Sequence, residues 1–258
     1  MSHRRPCLAA AVLLAAGVAA GASHAGEVRV AVAANFAAPM ARIGAAFTAA
    51  TGHTLKLSSG STGKFYTQIV AGAPFEVLLS ADDATPRRLV AQGHAVAGTS
   101  FTYAVGALVL WSATPGLVDP QGAVLRSGGF RHLAIANPRT APYGAAAMQV
   151  LQGLGLAQAL APRLVTGESI AQAHQFVATG NAALGFVALS QVVVPGQDGQ
   201  APRIAAGSAW RVPPALHAPI RQDAVLLKAG EKNPAAAALL AYLQTAPARA
   251  LISAHGYP

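Results

Sequence analysis

Short apolar, β-branched runs alternate with amphipathic helical segments along almost the whole chain. No other feature restricts the fold as strongly. "EVRVAVAAN" (27–35) has the β-branched content of a buried strand. "FAAPMARIGAAFTAATG" follows, with Phe36, Met40, Ile43 and Phe47 on one helical face and Gly52 as terminator. The pattern continues with "HTLKLSSG" as strand, "STGKFYTQIVAG" as helix, "FEVLLSADD" as strand and "ATPRRLVAQG" as helix, then a longer apolar strand, "YAVGALVLW" (103–111). It recurs in "HLAIAN", "APYGAAAMQVLQGLG", "PRLVTGE", "SIAQAHQFVATGN" and "AALGFVALS". After the Pro-rich "VPPALHAPIRQ" come a strand, "DAVLLKAG", and a helix, "NPAAAALLAYLQ". Such alternation predicts α/β layers with largely parallel sheets. The strands at 103–111 and 219–227 are expected to cross between two lobes. That places a hinge near 104–106 and 217–222, with the last helix returning to the first lobe.

The first residues carry the signature of export. Arg4-Arg5 supply a positive region, Leu8 to Ala20 an apolar run, and Ser23 and Ala25 the small residues of a cleavage site. That run is too short for a permanent span of about 20 residues. Cys7 precedes it, so it is not an acylation cysteine. Cleavage after Ala25 leaves 233 of 258 residues and no cysteine, so stability must come from a buried core and not from disulfides. Arg4 and Arg5 leave with the leader, and 16 basic residues then face 9 acids, a surplus of +7. These charges are scattered, and Arg87-Arg88 is the one adjacent basic pair. Nucleic-acid binders cluster Lys and Arg on one face and add aromatics, which this chain does not do. The surplus serves either solubility or the steering of a small anion.

The junctions between strands and helices carry the chemistry. In open α/β sheets ligands sit beyond the carboxyl ends of the strands. "GSTGK" (60–64) looks like a phosphate loop, but Ser58 stands where the leading glycine belongs and Phe65 where a Ser or Thr would follow the lysine. Asn35, Ser61-Thr62, Pro142-Tyr143-Gly144 and Ser169 each open a helix, the last as an S-x-x-Q capping box. Helix starts offer unpaired N–H groups at the positive end of a dipole and bind anions without lysine or arginine. A single such cap is ordinary in any helix. Two in each proposed lobe would let a closing cleft surround one small anion. Other chemistries are missing: His53, His94, His132, His174, His217 and His255 form no metal pair, and no G-x-S-x-G elbow is present. Asp82-Asp83 read as a helix cap, Glu168 as an acid near a helix start, and Lys64 as a first-turn residue at the cleft mouth. No catalytic constellation emerges.

"VAVAANFAAPM", "SSGSTGKFYTQIVAGAPFEVLLSADD", "ANPRTAPYGAAA", "GESIAQAHQFVATGNAALGFVALSQ" and "LHAPIRQDAVLL" together resemble the periplasmic molybdate-binding proteins of ABC uptake systems, over about residues 30 to 257. The resemblance implies a type II periplasmic binding fold: a signal peptide (1–25), lobe I (26–104 plus 222–258) and lobe II (105–221). It implies a non-enzymatic, monomeric periplasmic receptor that holds molybdate or tungstate as a tetrahedral dianion, uses no cofactor, and serves an inner-membrane permease. Carried over by motif, the ligand residues fall on Asn35 with Ala34 beside it, on Thr62 with Ser61 as the neighbouring alternative, and on main-chain N–H groups at Tyr143 and Ile170. Asn35, Thr62, Tyr143 and Ile170 would hold the metal as molybdate and not as a bare cation. Some members add a tyrosine hydroxyl after "LGFV"; this chain has Ala188 there. The replacement donor is expected from Asn35 or from near Tyr143. The alternatives are a receptor for sulfate or another tetrahedral oxyanion, and a phosphate-processing enzyme using Lys64.

Overall fold

The computed structural model describes residues 25–196 and 200–257, so the leader lies outside the described residues except for Ala25. In chain order the strands are β1 (Glu27–Ala33), β2 (Thr54–Gly60), β3 (Val77–Leu79), β4 (Phe101–Gly106), β5 (Leu108–Ser112) and β6 (Leu133–Ala136). They continue as β7 (Leu164–Gly167), β8 (Leu184–Ala188), β9 (Val193–Val194), β10 (Arg203–Ile204), β11 (Ser208–Arg211) and β12 (Ile220–Leu226). The helices are α1 (Ala37–Thr51), α2 (Thr62–Val70), α3 (Ala84–Ala91), α4 (Val124–Ser127) and α5 (Pro142–Gly153). After them come α6 (Ala157–Leu160), α7 (Ile170–Ala178), α8 (Pro234–Leu243) and α9 (Ala246–Ala254).

Two five-stranded sheets organise the chain, one ordered β2-β1-β3-β12-β4 and the other β11-β5-β8-β6-β7. Each combines two parallel pairs with two antiparallel ones. The parallel pairs, β1 with β2 and β3, and β6 with β7 and β8, come from strand–helix–strand crossovers. The antiparallel pairs involve β12 in the first sheet and β5 in the second, the strands nearest the passages between lobes.

The run expected as one strand over 103–111 is divided at Ala107: β4 belongs to the first sheet and β5 to the second. This is the first crossing. The later strand does not bridge the lobes itself, because β12 lies wholly in the first sheet. The second crossing is the segment 212–219, where Pro213, Pro214 and Pro219 lack the N–H needed to continue a ladder.

Side-chain alternation explains the layers of the first lobe. Val28, Val30 and Val32 of β1 pack with Phe36, Met40, Ile43 and Phe47 of the α1 region and with α8 and α9. Ala31, between them, faces the opposite layer with Phe65, Ile69 and Leu89 from α2 and α3. The four positions spaced along the α1 face have no solvent exposure, and Gly52 ends α1 at φ 76°, where an L side chain would be strained.

The sequence reading overlooked α9. Its start is set by Thr245, whose hydroxyl accepts from Ala248 N, just after α8 ends. α8 itself is capped by Asn233, whose side chain accepts from Ala235 N. The return of both helices beside α1 puts the C-terminal Tyr257 under β1 and α1.

Gly144, in the first turn of α5, lies against the β6 backbone. A Cβ there would collide with Ala136 O and come within 2.7 Å of Ala136 C. Gly144→Ala should therefore lower stability by about 1–3 kcal/mol through overpacking, read as a drop in the thermal midpoint; an unchanged midpoint would mean that α5 can lift off β6 without cost.

Candidate functional site

The four helix starts singled out in the sequence meet at one place. A small cavity between the two sheets is lined by Ala33, Ala34 and Asn35 after β1, by Gly60, Ser61 and Thr62 after β2, and by Ala81 after β3. Ala141, Pro142 and Tyr143 at the start of α5, and Ile170 at the start of α7, close it from the second lobe. All six sequence-chosen positions, Ala34, Asn35, Ser61, Thr62, Tyr143 and Ile170, therefore line the same space. Its volume is ≈ 10 Å³, room for about one water. A wider cleft of ≈ 590 Å³ adjoins it, sharing Ala81, Ala141 and Pro142.

The lining carries no formal charge. What it offers is N–H groups and hydroxyls. The first turn of a helix has no intrahelical acceptor for its N–H groups. In α5 the first residue is Pro142, which has no N–H, so Tyr143 supplies the first donor. In α7 the first is Ile170. The expected capping box there is altered: Ser169 Oγ accepts from Gln172 N at 3.3 Å, but Gln172 Oε1 reaches back to Glu168 N, not to Ser169 N.

Ser61 and Thr62 are distinguished by their partners. Thr62 Oγ1 accepts from Ala81 N at 3.0 Å and so braces β3 against α2. Ser61 Oγ is buried and has no hydrogen-bond partner among the described residues. The next residue, Gly63, donates its N–H to Thr140 O across the cleft at 2.9 Å, and a Cβ on it would stand 2.9 Å from Thr140 Cα. Lys64 then forms an ion pair with Glu168 of the other lobe at 2.8 Å. Its ammonium holds the Glu168 carboxyl below the usual range. Asp82, not Asp83, caps α3, accepting from Thr85 N at 2.7 Å; burial raises its pKa. Asp83 pairs with Arg87.

Behind the cavity lies a network that the sequence reading missed. Asn35 Nδ2 donates to Gln222 Oε1 at 2.8 Å and to Tyr257 OH at 2.9 Å. Tyr103 OH lies 3.0 Å from both Ser80 O and Gln222 Oε1. Gln222 Nε2 donates to Tyr143 OH at 3.1 Å. Asn35 O accepts from Ser190 Oγ and Tyr257 OH. Strand residues of the first sheet, Tyr143 of α5, Ser190 after β8 and Tyr257 near the C-terminus are thus joined in one buried circuit. Near Ala188, where a tyrosine is absent, the hydroxyls of Ser190 and Tyr257 bond to Asn35 O and do not line the cavity. No apolar run marks Gln222 and Asp223 in sequence, since they follow Arg221 ahead of the apolar 224–226 end of β12, yet both are buried in the strand and partnered there.

The family model for bacterial extracellular solute-binding proteins matches residues 28–258. The chain belongs to this family. It is 60% identical over 246 residues to the molybdate-binding protein ModA of Azotobacter vinelandii, covering 95% of each chain. It is 54% identical over 249 residues to ModA of Rhodobacter capsulatus, covering 96% of this chain and 94% of that one. Among solved structures, an Azotobacter vinelandii periplasmic molybdate-binding protein superposes with a TM-score of 0.85 at 45% identity, covering 90% of this chain and 98% of the other. The two-lobed α/β architecture expected from the sequence is therefore that of a family member.

Two predictions follow from the polar bookkeeping of the cavity. Ser61→Ala should leave the ligand-free protein as stable or slightly more so, since the hydroxyl is desolvated without a partner, whereas Tyr257→Phe should lose about 1–3 kcal/mol. Chemical denaturation of both variants would check this, and a large loss in Ser61→Ala would contradict it. Burial raises Tyr103 and Tyr143 well above the ordinary tyrosine value of 10.0 and Tyr257 to about 12. Unfolded tyrosines ionise first, so the stability contributed by Tyr257 is present below pH 10 and falls as pH rises from about 10 to 12, with Tyr103 and Tyr143 acting in the same direction. Tyr257→Phe should flatten part of that alkaline slope.

Proposed function

We propose that this protein captures molybdate as a tetrahedral dianion in the cavity between its lobes and delivers it to an inner-membrane ABC permease. The observation that carries the reading is the convergence of four helix starts, with uncharged donors, on one small cavity. Molybdate is fully ionised at neutral pH and only accepts hydrogen bonds, so a site of N–H and O–H donors suits it. Helix N-termini contribute positive potential without the desolvation cost of a buried lysine or arginine. The close relatives named for molybdate binding support this ligand, and tungstate, of nearly the same size and charge, is expected to share the site.

The proposed ligand set is Asn35 with Ala34 beside it, Ser61 and Thr62, and the N–H groups of Tyr143 and Ile170. Ser61 Oγ, buried without a protein partner, is proposed as the principal hydroxyl, and Thr62 Oγ1, which accepts from Ala81 N, keeps its O–H free as a second donor. The lobes are proposed as 26–104 plus 222–258 and 105–221, with the bounds moved to Ala107 and to 212–219 if whole strands are kept together, since β4 and β12 both lie in the first sheet. A tetrahedral oxyanion takes more room than one water, so entry requires the lobes to part and reclose around it. Gly63 with Thr140, and Lys64 with Glu168, are the contacts that would break and re-form. Closure biased by ligand bonds to both lobes is a population shift, and the permease would read the closed form. A monomeric, non-enzymatic role in the periplasm, after removal of the leader, completes the reading.

Calorimetry of the mature chain with molybdate, tungstate, sulfate and phosphate tests it. Molybdate and tungstate should bind tightly and sulfate and phosphate weakly; the reverse order would overturn the assignment. Ser61→Ala should weaken molybdate binding by roughly tenfold to a hundredfold, as loss of a hydrogen bond to a charged acceptor. Thr62→Val should weaken it less. Lys64→Ala should change affinity no more than a fewfold, since both members of its ion pair are largely exposed. Turnover of a phosphate ester that Lys64→Ala abolishes would instead favour an enzyme.

A further inference from the structure

Asn35 presents a problem for an oxyanion site. Its Nδ2 is fully engaged by Gln222 Oε1 and Tyr257 OH, neither of which lines the cavity. The remaining edge of the amide, Oδ1, is buried and without a partner among the described residues. A carbonyl oxygen facing a dianion repels it. The amide is nearly symmetric in shape, so exchanging its oxygen and nitrogen keeps the packing and reverses the polarity. It cannot reverse alone, because Oδ1 would then confront Gln222 Oε1.

Resting on the oxyanion reading above, we propose that Gln222 is a positioning residue that sets which edge of Asn35 faces the ligand, and that the two amides invert together when the oxyanion binds. The circuit closes equally well in the inverted sense. Gln222 Nε2 then donates to Asn35 Oδ1 and to Tyr103 OH, which keeps its own donation to Ser80 O. Tyr143 OH, an acceptor before, donates to Gln222 Oε1. Tyr257 OH donates to Asn35 Oδ1, and Ser190 Oγ keeps its bond to Asn35 O. The one group left without a protein partner is Asn35 Nδ2, a donor aimed at the oxyanion. In the first sense the leftover group is an acceptor; in the second it is the donor the ligand requires.

The surroundings are fitted to this pair. Gln222 has no solvent exposure, and Asn35 has 2%. The space beside them is kept by Gly106, where a Cβ would collide with the Tyr143 hydroxyl and stand 2.7 Å from Gln222 Nε2. Every hydroxyl in the circuit can donate or accept, so reversal needs only rotations of O–H bonds and of two amides. No ionisable carboxylate or ammonium takes part, and the burial of the tyrosines keeps them protonated.

A double-mutant cycle on the full mature chain tests the idea, with molybdate affinity as the readout. Asn35→Ala and Gln222→Leu should each weaken binding by roughly tenfold or more. The double variant should bind no worse than Asn35→Ala, because Gln222 acts through Asn35. Additive losses, or full affinity in Gln222→Leu, would overturn it. Should Gln222→Leu not fold, neutron diffraction of the wild-type molybdate complex decides. Asn35 Nδ2 on the oxyanion with Gln222 Nε2 on Asn35 supports the proposal, and Asn35 Oδ1 toward the ligand refutes it. If wild type fails to bind molybdate at all, the oxyanion reading itself falls, and this proposal with it; tight wild-type binding with an unaffected Gln222→Leu removes the positioning role alone.

Discussion

Enclosing an oxyanion without countercharge forces the rest of the design. A cavity of neutral groups stabilises a dianion only if several donors point inward from fixed backbone, since flexible side chains would lose much of the gain in ordering. Helix starts satisfy this requirement, because their N–H groups are held by the helix and have no acceptor one turn back within it. They must, however, come from more than one side. Two sheets, each delivering helices from the carboxyl ends of its parallel strands, meet that condition. The mixed character of the sheets follows, as the strands next to the crossings run antiparallel to their neighbours.

Much of this was legible from local pattern. The spacing of Phe36, Met40, Ile43 and Phe47 announced α1 and its buried face. The Ser, Asn and Pro-Tyr-Gly junctions announced four helix starts that prove to line one cavity. What stayed hidden depends on distance along the chain. Asn35 and Gln222 are 187 positions apart, and Asn35 and Tyr257 are 222 apart. No periodicity encodes such a pairing. The break at Ala107 was hidden for a related reason: an apolar run looks the same whether it serves one sheet or is handed from one to another. The motif put Thr62 before Ser61, and what sequence could not show is that Ser61 Oγ is the hydroxyl left without a protein partner while Thr62 Oγ1 accepts from Ala81 N.

The loop that resembles a phosphate cradle illustrates how a motif can be half right. Its glycine matters because the backbone at residue 63 meets Thr140 with no room for a Cβ. Its lysine, the residue a phosphate loop would use on its ligand, is turned away to the cleft mouth and engaged by Glu168. Anion binding is thus left to backbone and hydroxyl groups, and the lysine helps to hold two lobes together. An exposed ion pair contributes little to stability in water. Such a contact can fasten a closed form without fixing it permanently.

That weakness bears on how closure can be governed by ligand. If the lobes were joined by strong contacts alone, a ligand would shift nothing, because binding changes an equilibrium only by its differential affinity for the two states. Here the bonds across the mouth are one backbone hydrogen bond and one exposed ion pair. The buried circuit at the hinge joins the first sheet to α5 and to the turn after β8, yet it is neutral and can be completed in either polarity. Its cost in one polarity is an acceptor left facing the cavity, and that cost is removed when an oxyanion arrives and the polarity reverses. A hinge built from amides and hydroxyls therefore couples the ligand to the closed form through the direction of its hydrogen bonds, without any change in packing. Charged groups in the same place would fix that direction permanently and lose the coupling.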